Sequence, residues 1–532
     1  MGTYLNPGNI GFERIIMDNY VDKTGLIGIL NGTIDTTKSL TCISRPRRFG
    51  KSYAAQMLCA YYDKTCDSHR LFDKYVISAD KSYEKHLNRY DVIYLDMTQI
   101  LGESGKNTFV DFIKKKVTGE LKEAYPGLKV DSAFSSTLIN AVELTGNKFV
   151  AIIDEWDAPI REIPEVEKKY LDFLRALFKS SATTSRIFAS AYMTGILPIK
   201  KGGSQSAISD FREYSVLMPG EFAEYVGFTQ DEVFRLCEEN GSSFGKMKKW
   251  YDGYTLGNRH SVYNPYSVMQ ALETGKFSSY WKKTSAAETL ITYIDMDQDG
   301  LQEDIARLIA GESIEIDTDS FQNDVETFTC KDDVLTLLVH LGYLTYEEVS
   351  DSYDDGDETA GLVRIPNEEV RSEFEKIIRK SKHGDLIELV KKSDKLLKDT
   401  LEGNEGEVAR AISDVHESGY APTFYNNEQS LRYVIKMAYI SCVDQYARIE
   451  ELPSGHGIAD VVFLPKRRSV LPAMLIELKW NKDELSALQQ IKENNYPKVL
   501  KNYGGEIVLV GIDYNEKTKK HSCKIEKYRK NN

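Results

Sequence analysis

Over the first 220 residues, short apolar runs alternate with stretches of helical period, and this alternation restricts the N-terminal part to an α/β domain with a largely parallel sheet. The apolar runs are Leu40 to Ser44, Val92 to Asp96, Phe149 to Asp154, Ile187 to Thr194 and Tyr214 to Met218. Helical periodicity occupies Tyr53 to Tyr62, Phe109 to Glu123 and Tyr170 to Ser180. From about Glu221 to Leu272 the pattern turns helical and Tyr-rich, as a lid would, and a further helical stretch runs to about residue 320.

A chain of 532 residues needs two or three domains of ordinary size. Residues 328 to 378 read as a smaller unit: a helix at Asp332 to His340, a strand at Tyr343 to Glu348, a strand at Leu362 to Ile365 and a helix from Glu368, the order of a winged-helix module. The acidic loop Val349 to Thr359 between its strands misses the EF-hand spacing and reads as a solvated wing tip, not a calcium site. A polar-apolar helix, Ile387 to Leu401, bridges to a last domain from residue 405 with the order helix, strand, strand, helix, strand. The expected domains are 1–285, an α/β domain with lid; 286–404, a helical and winged-helix-like connector; and 405–532, a last α/β domain.

Hydrophobic residues at 41% and charged residues at 28% exclude a disordered or fibrous chain. A net charge of −13 excludes a surface that is nucleic-acid footprint throughout, while Lys498 onward holds nine Lys or Arg against four acids, a local basic edge. Met1 to Ile10 lacks the basic and apolar regions of a secretory signal, and no apolar run is long enough to span a bilayer. Seven scattered cysteines without a CxxC pair fit reduced thiols, so a cytoplasmic protein with no membrane partner is expected.

The residues richest in chemistry are Arg45-Pro46-Arg47-Arg48-Phe49-Gly50-Lys51-Ser52, after an apolar strand and before the helix that opens with Tyr53. This is the place of a phosphate-binding loop. Gly50 lets successive N–H groups face phosphate, Lys51 reaches the β- and γ-phosphates and Ser52 ligates Mg²⁺. Arg45 stands where the general pattern has its first glycine. The strand Phe149 to Asp154, followed by Glu155, has the form of a Walker B strand, with Asp154 holding Mg²⁺ and Glu155 activating water. The strand Val92 to Asp96 between the two motifs, and a glutamate after Asp154, point to the RecA/AAA-type branch. Thr194 is placed like a sensor of the γ-phosphate. Arg47, Arg48, Lys200 and Arg212 are candidates for contacting phosphate charge.

Thr41 to Ser52, together with Tyr20-Val21-Asp22-Lys23-Thr24, Trp250-Tyr251-Asp252-Gly253-Tyr254 and Tyr263-Asn264-Pro265-Tyr266-Ser267, resembles the bacterial AAA-ATPase-like family over about the first 285 residues. The resemblance implies that Arg45 belongs to the family's usual loop, that Arg47 to Tyr53 bind nucleotide, that ATP is the nucleotide, and that Tyr20 to Thr24 lie near the nucleoside. It also allows a homo-oligomer.

Toward the C-terminus, Gly457 to Phe463 and Met474 to Trp480 form hairpin-like strands that bring Asp460 and Glu477 together, with Glu477 and Lys479 on one strand face. Two carboxylates and a lysine can hold Mg²⁺, activate water and offset charge on a scissile phosphate. This stretch resembles the PD-(D/E)XK nuclease superfamily. The resemblance adds Glu428, Gln490 and Tyr496 as accessory residues and nucleic acid, DNA or RNA, as substrate. A rival reading makes the chain a nucleotide-dependent signalling or binding protein whose last domain only docks.

Overall fold

The computed structural model describes residues 2–105, 108–199, 208, 210–281, 301–309, 311–321, 328, 330–348, 360–378, 385–417, 431–432, 434–435, 438–439, 442, 445–454, 457–466, 471–482, 484–493 and 505–528. Two compact units are observed: Met1–Ala286 with Glu315–Glu373, and Ala287–Ile314 with Phe374–Asn532.

The first unit is organised by a parallel sheet of β1 (Leu40–Ser44), β2 (Asp91–Asp96), β3 (Phe149–Asp154), β4 (Phe188–Gly195) and β5 (Arg212–Tyr214) in the order β2-β3-β4-β1-β5. β1, β3 and β4 are buried along their whole length, which is why they are apolar runs without polar alternation. In sequence the strand between the two nucleotide motifs is β2, but in the sheet it is β4 that separates β1 from β3. The helical crossovers allow this, because a parallel connection need not join neighbours. The helix Phe109–Ala124 buries Val110, Ile113, Val117 and Leu121, three or four residues apart on one face, beside Ile93, Leu95, Ala151 and Ile153. Burying each such side chain stabilises the unit by roughly 1.5–3 kcal/mol. The helix Lys51–Tyr62 packs against β2, β3 and β4, carrying the end of the phosphate-loop segment onto the sheet.

Within the expected lid, helices Gln230–Glu239, Phe244–Tyr251 and Pro265–Thr274 enclose a hairpin, β6 (Tyr254–Leu256) and β7 (Arg259–Val262), that the helical reading of this region omits. The winged-helix-like module also differs. Its helix Lys331–Leu341 and strands β9 (Thr345–Glu348) and β10 (Ala360–Arg364) are joined by β8 (Ile314–Asp317), so the sheet has three strands, in the order β8-β10-β9, where two were expected. The acidic loop 349–359 lies outside the described residues.

The module is docked through the Trp250 to Tyr254 motif. The Tyr254 hydroxyl donates to the Gly342 carbonyl at 2.9 Å, the Thr255 N–H to the Thr345 hydroxyl at 2.8 Å, and Arg364 to the Gly253 carbonyl at 3.2 Å. Gly253, at φ 107°, also sits so close to Pro366 that a Cβ would lie 2.0 Å from its carbonyl oxygen.

The second unit holds a five-stranded sheet of β11 (Tyr446–Ser454), β12 (Gly457–Pro465), β13 (Ala473–Trp480), β14 (Ile507–Asn515) and β15 (Lys520–Tyr528), in that order. Only β13 and β14 run parallel, and the helix Glu484–Glu493 lies between them in sequence as their crossover. No helix among the described residues is long and apolar enough to cross a membrane, and all seven cysteines are free thiols.

Candidate nucleotide site and candidate nuclease site

Between β1 and the helix that begins at Lys51, Gly50 adopts φ 93° with open space where a Cβ would stand. The left-handed turn, not crowding, calls for glycine. Arg48 takes φ 70°, a sparsely populated conformation for a residue with a Cβ. Lys51 is buried, donates to the carbonyls of Arg45 and Pro46, each at 3.1 Å, and stands 3.4 Å from Glu155 Oε1.

At the ends of neighbouring β3 and β4, Asp154 and Thr194 meet. Ile153 pairs with Met193 in register, and one residue on, the Thr194 hydroxyl donates to Asp154 Oδ1. The Ser52 hydroxyl lies close enough to the same carboxylate to favour its ionised form, so Ser52 and Asp154 present a pair of hard oxygen donors of the kind Mg²⁺ takes. Burial pushes the Asp154 carboxyl above its usual range, against the influence of the Ser52 and Thr194 hydroxyls. Glu155 is turned to φ 52°, and its N–H donates to Asp154 Oδ1 at 3.1 Å and to Thr194 Oγ1 at 3.3 Å. Burial raises its carboxyl too, but Lys51 and Arg161 more than offset that and hold it below the usual range.

The structure thus gathers Lys51, Ser52, Asp154, Glu155 and Thr194. Arg47 lies close enough for its charge to favour ionised Glu155, and its carbonyl accepts from Asn264 Nδ2 at 3.3 Å. Asn264 also caps the helix Pro265–Thr274, so the Tyr263 to Ser267 motif ties the lid to the loop. Arg48 points into the lid, donating to the Tyr280 carbonyl and lying 4.6 Å from the Tyr266 ring centre. Phe49 is buried edge-on to Tyr254, so it offers a nucleotide only its backbone, whereas Tyr53 is 59% exposed.

Other expectations fare differently. Arg212 pairs with Thr41, three residues before the end of β1, and is not gathered with the site, because β5 meets β1 lower down. Lys200 lies outside the described residues. In the Tyr20 to Thr24 segment, Asp22 accepts the Thr24 and Val76 N–H groups at 2.8 Å each, and Lys23 donates to both Glu232 oxygens at 2.7 Å and to the Glu224 carbonyl at 2.6 Å. These polar groups hold the segment in place.

Two residues missed by the sequence reading stand beside Glu155. Arg161 Nη2 is 3.0 Å from Glu155 Oε2, and its Nε is 2.8 Å from Asp157 Oδ2. Asp157 ends the run Asp154-Glu155-Trp156-Asp157, and Arg161 follows at i+4, so helical spacing was the available signal.

In the second unit, Glu477 and Lys479 are buried on one face of β13, with Lys479 Nζ 3.2 Å from Glu477 Oε1. Gln490 Nε2, from the crossover helix, donates to the same oxygen. Gly511 permits this approach. It is the register partner of Glu477, and a Cβ there would lie 2.5 Å from the Glu484 carbonyl and 3.0 Å from Ala487 Cβ. Val461 pairs with Ile476, so the backbones of Asp460 and Glu477 are adjacent across the β12–β13 ladder. The Asp460 side chain, Glu428 and Tyr496 lie outside the described residues. Buried Asp513, opposite Lys479 in register, is a further acid on this strand pair and was not singled out from sequence.

These two constellations define a P-loop protein of the RecA/AAA-type branch with a PD-(D/E)XK-type sheet in its second unit. Comparison with known proteins agrees with this: residues 8–204 match the family described as Predicted AAA-ATPase and residues 426–523 match the PD-(D/E)XK nuclease superfamily. No curated protein matches its sequence. Among solved structures it is similar to the Aeropyrum pernix ORC1 protein in complex with DNA, at 9% identity and TM-score 0.25 over 72% of this chain and 98% of that one. It is also similar to the Aeropyrum pernix ORC2 protein in ADPNP–ADP complexes, at 11% identity and TM-score 0.28 over 70% and 96%. Likeness at that level leaves the fold assignment to the strand order and the two matched segments.

Proposed function

We propose that the protein binds and hydrolyses ATP at the β1–β3–β4 edge, and that its last domain is a Mg²⁺-dependent nuclease-like domain acting on nucleic acid. The observation that carries the first half is the meeting of Lys51, Ser52, Asp154, Glu155 and Thr194 around one point, from three separate stretches of chain. Lys51 pairs with phosphate charge, Ser52 and Asp154 are the residues that would hold Mg²⁺, and Glu155 takes the proton of the attacking water. When bound, the ion neutralises charge on the phosphoryl oxygens. In the second unit the carboxylates of Glu477 and Asp460 would hold a metal, with Lys479 offsetting negative charge on the scissile phosphate. The Glu477–Lys479–Gln490 cluster supports that half.

The test is ATP binding by calorimetry and ATP turnover, measured on wild type, Lys51→Ala and Glu155→Gln. Lys51→Ala is expected to lose high-affinity ATP binding while staying folded, because the ammonium that compensates phosphate charge is gone. Glu155→Gln is expected to bind ATP as wild type does and to turn over about 10²–10⁴-fold more slowly, because an amide cannot accept the proton. Unchanged affinity in folded Lys51→Ala, or wild-type turnover in Glu155→Gln, would remove that residue from its role.

A further inference from the structure

We infer that Arg161 is the positioning residue for Glu155: anchored by Asp157, it holds the Glu155 carboxylate by one oxygen and so fixes where the other points. The inference rests on the reading of Glu155 as the water-activating group.

The geometry is a chain of four charges. Asp157 is buried at the start of the short helix Ala158–Glu162, and its carboxylate accepts the N–H groups of Ile196 at 3.2 Å and Leu197 at 3.0 Å, just beyond β4. Gly195 makes room for it, since a Cβ there would lie 2.8 Å from Asp157 Oδ1 and 2.6 Å from the Trp156 ring. Asp157 is therefore fixed to the same strand end that carries Thr194. Arg161, one helical turn on, gives its Nε to Asp157 and its Nη2 to Glu155 Oε2, and its side chain is only 15% exposed. A guanidinium binding two carboxylates through separate nitrogens has little freedom left to rotate.

Each Glu155 oxygen is in an ion pair with a different cation. Its Oε1 faces Lys51 at 3.4 Å and its Oε2 faces Arg161 at 3.0 Å. Lys51 is the group the phosphates of a nucleotide attract, so binding weakens the first contact and leaves the second. Without Arg161 the carboxylate can swing and close on Lys51 and lose its aim. The backbone of Glu155 cannot correct this, because its φ of 52° and its N–H bonds to Asp154 and Thr194 already fix the main chain. Aim matters, because a displacement of about 1 Å in a reacting group can cost on the order of 10²-fold in rate.

The experiment measures kcat and KM for ATP, and calorimetric affinity for a non-hydrolysable ATP analogue, on wild type, Arg161→Met, Arg161→Lys, Glu155→Gln and the double variant Arg161→Met/Glu155→Gln. Arg161→Met is expected to lose about 10- to 100-fold in kcat with analogue affinity within about 3-fold of wild type. Arg161→Lys, which can hold one carboxylate but not bridge two, is expected to recover part of the loss. In the Glu155→Gln background Arg161→Met is expected to cost nothing further, because its effect passes through the carboxylate already removed. Full turnover in Arg161→Met overturns the inference. So does a full additional loss in the double variant, which would mean Arg161 acts on the nucleotide directly, or an equal loss of kcat and affinity, which would mark a structural role. If wild type binds the analogue but does not turn ATP over, or if Glu155→Gln is as active as wild type, the reading of Glu155 falls first and the inference with it.

Discussion

Arg45 shows how a residue's position can be legible in sequence while its role is not. It occupies the first-glycine position of the general phosphate-loop pattern, and its side chain is fully buried against the chain that leaves β5. Its Nη1 donates to the carbonyls of Ser44, Tyr214 and Ser215 at 2.8–3.0 Å and its Nη2 to that of Phe222 at 3.4 Å, so it ties β1 to the chain leaving β5. Burial, with no carboxylate bound to it, draws the guanidinium down to about 10. Arg45→Gly, which restores the general pattern on paper, is therefore expected to destabilise the first unit by on the order of 3 kcal/mol or more, through the loss of the guanidinium's bonds to these carbonyls and the cavity left behind. Chemical denaturation would measure it, and a variant as stable as wild type would show that water replaces the side chain at no cost. Lys51, Asp154, Glu155 and Thr194 were legible because each lies next to an apolar run that could only be a strand. Arg161 was not, because what matters is the side-chain rotamer that crosses from its helix to Glu155.

At the scale of elements, long periodic stretches were legible to within a few residues at their ends, as in Phe149–Asp154 and Lys331–Leu341. Short or polar strands were not. β6 and β7 have three and four residues inside a helical, Tyr-rich region, and β15 alternates polar and buried residues at the edge of its sheet, so no apolar run announces it.

The helix Glu368–Ile378 carries a feature with a pH signature. Glu369 is buried, accepts the Tyr280 N–H at 2.7 Å, and is pushed up to about 7 by burial, against the nearby Ser267 hydroxyl, the Tyr280 N–H and the charge of Arg48. A carboxyl with a raised folded-state value binds its proton more tightly in the folded protein than in the unfolded chain. Its contribution to stability is complete below about pH 4.5 and is lost as pH rises through about 7, a change on the order of 3 kcal/mol. Glu369→Gln cannot ionise, so its melting temperature relative to wild type should rise between pH 5 and pH 8. A constant difference across that range would mean that Glu369 ionises in the fold without penalty.

For the molecule as a whole, composition pointed to more than one domain but not to their make-up, because the winged-helix-like module contacts the lid through Gly253, Tyr254 and Thr255, which no linker composition advertises. The sheet order was equally hidden, since nothing in β4 itself says that it lies between β1 and β3.

The two proposed centres lie in separate compact units, which makes a clean prediction. The backbones of Asp460 and Glu477 are adjacent across the β12–β13 ladder and in the proposed reading their carboxylates share a cation, so metal should bind there and be lost when either becomes an amide. Lys479 stands 3.2 Å from Glu477 and in the proposed reading offsets the charge of a scissile phosphate, so Lys479→Ala is expected to keep the metal and lose turnover. Asp460→Asn and Glu477→Gln are each expected to abolish metal-dependent cleavage of labelled DNA or RNA. ATP turnover at Lys51 and Glu155 should survive all three changes, since none alters the first unit. Metal titration, cleavage with and without ATP, and ATPase assays on the four proteins side by side decide it. If wild type cleaves neither DNA nor RNA in Mg²⁺ or Mn²⁺ and binds no metal at these acids, the last domain is a docking module and the chain a nucleotide-dependent binding protein. Loss of ATP turnover in Glu477→Gln would instead show that the two centres are coupled.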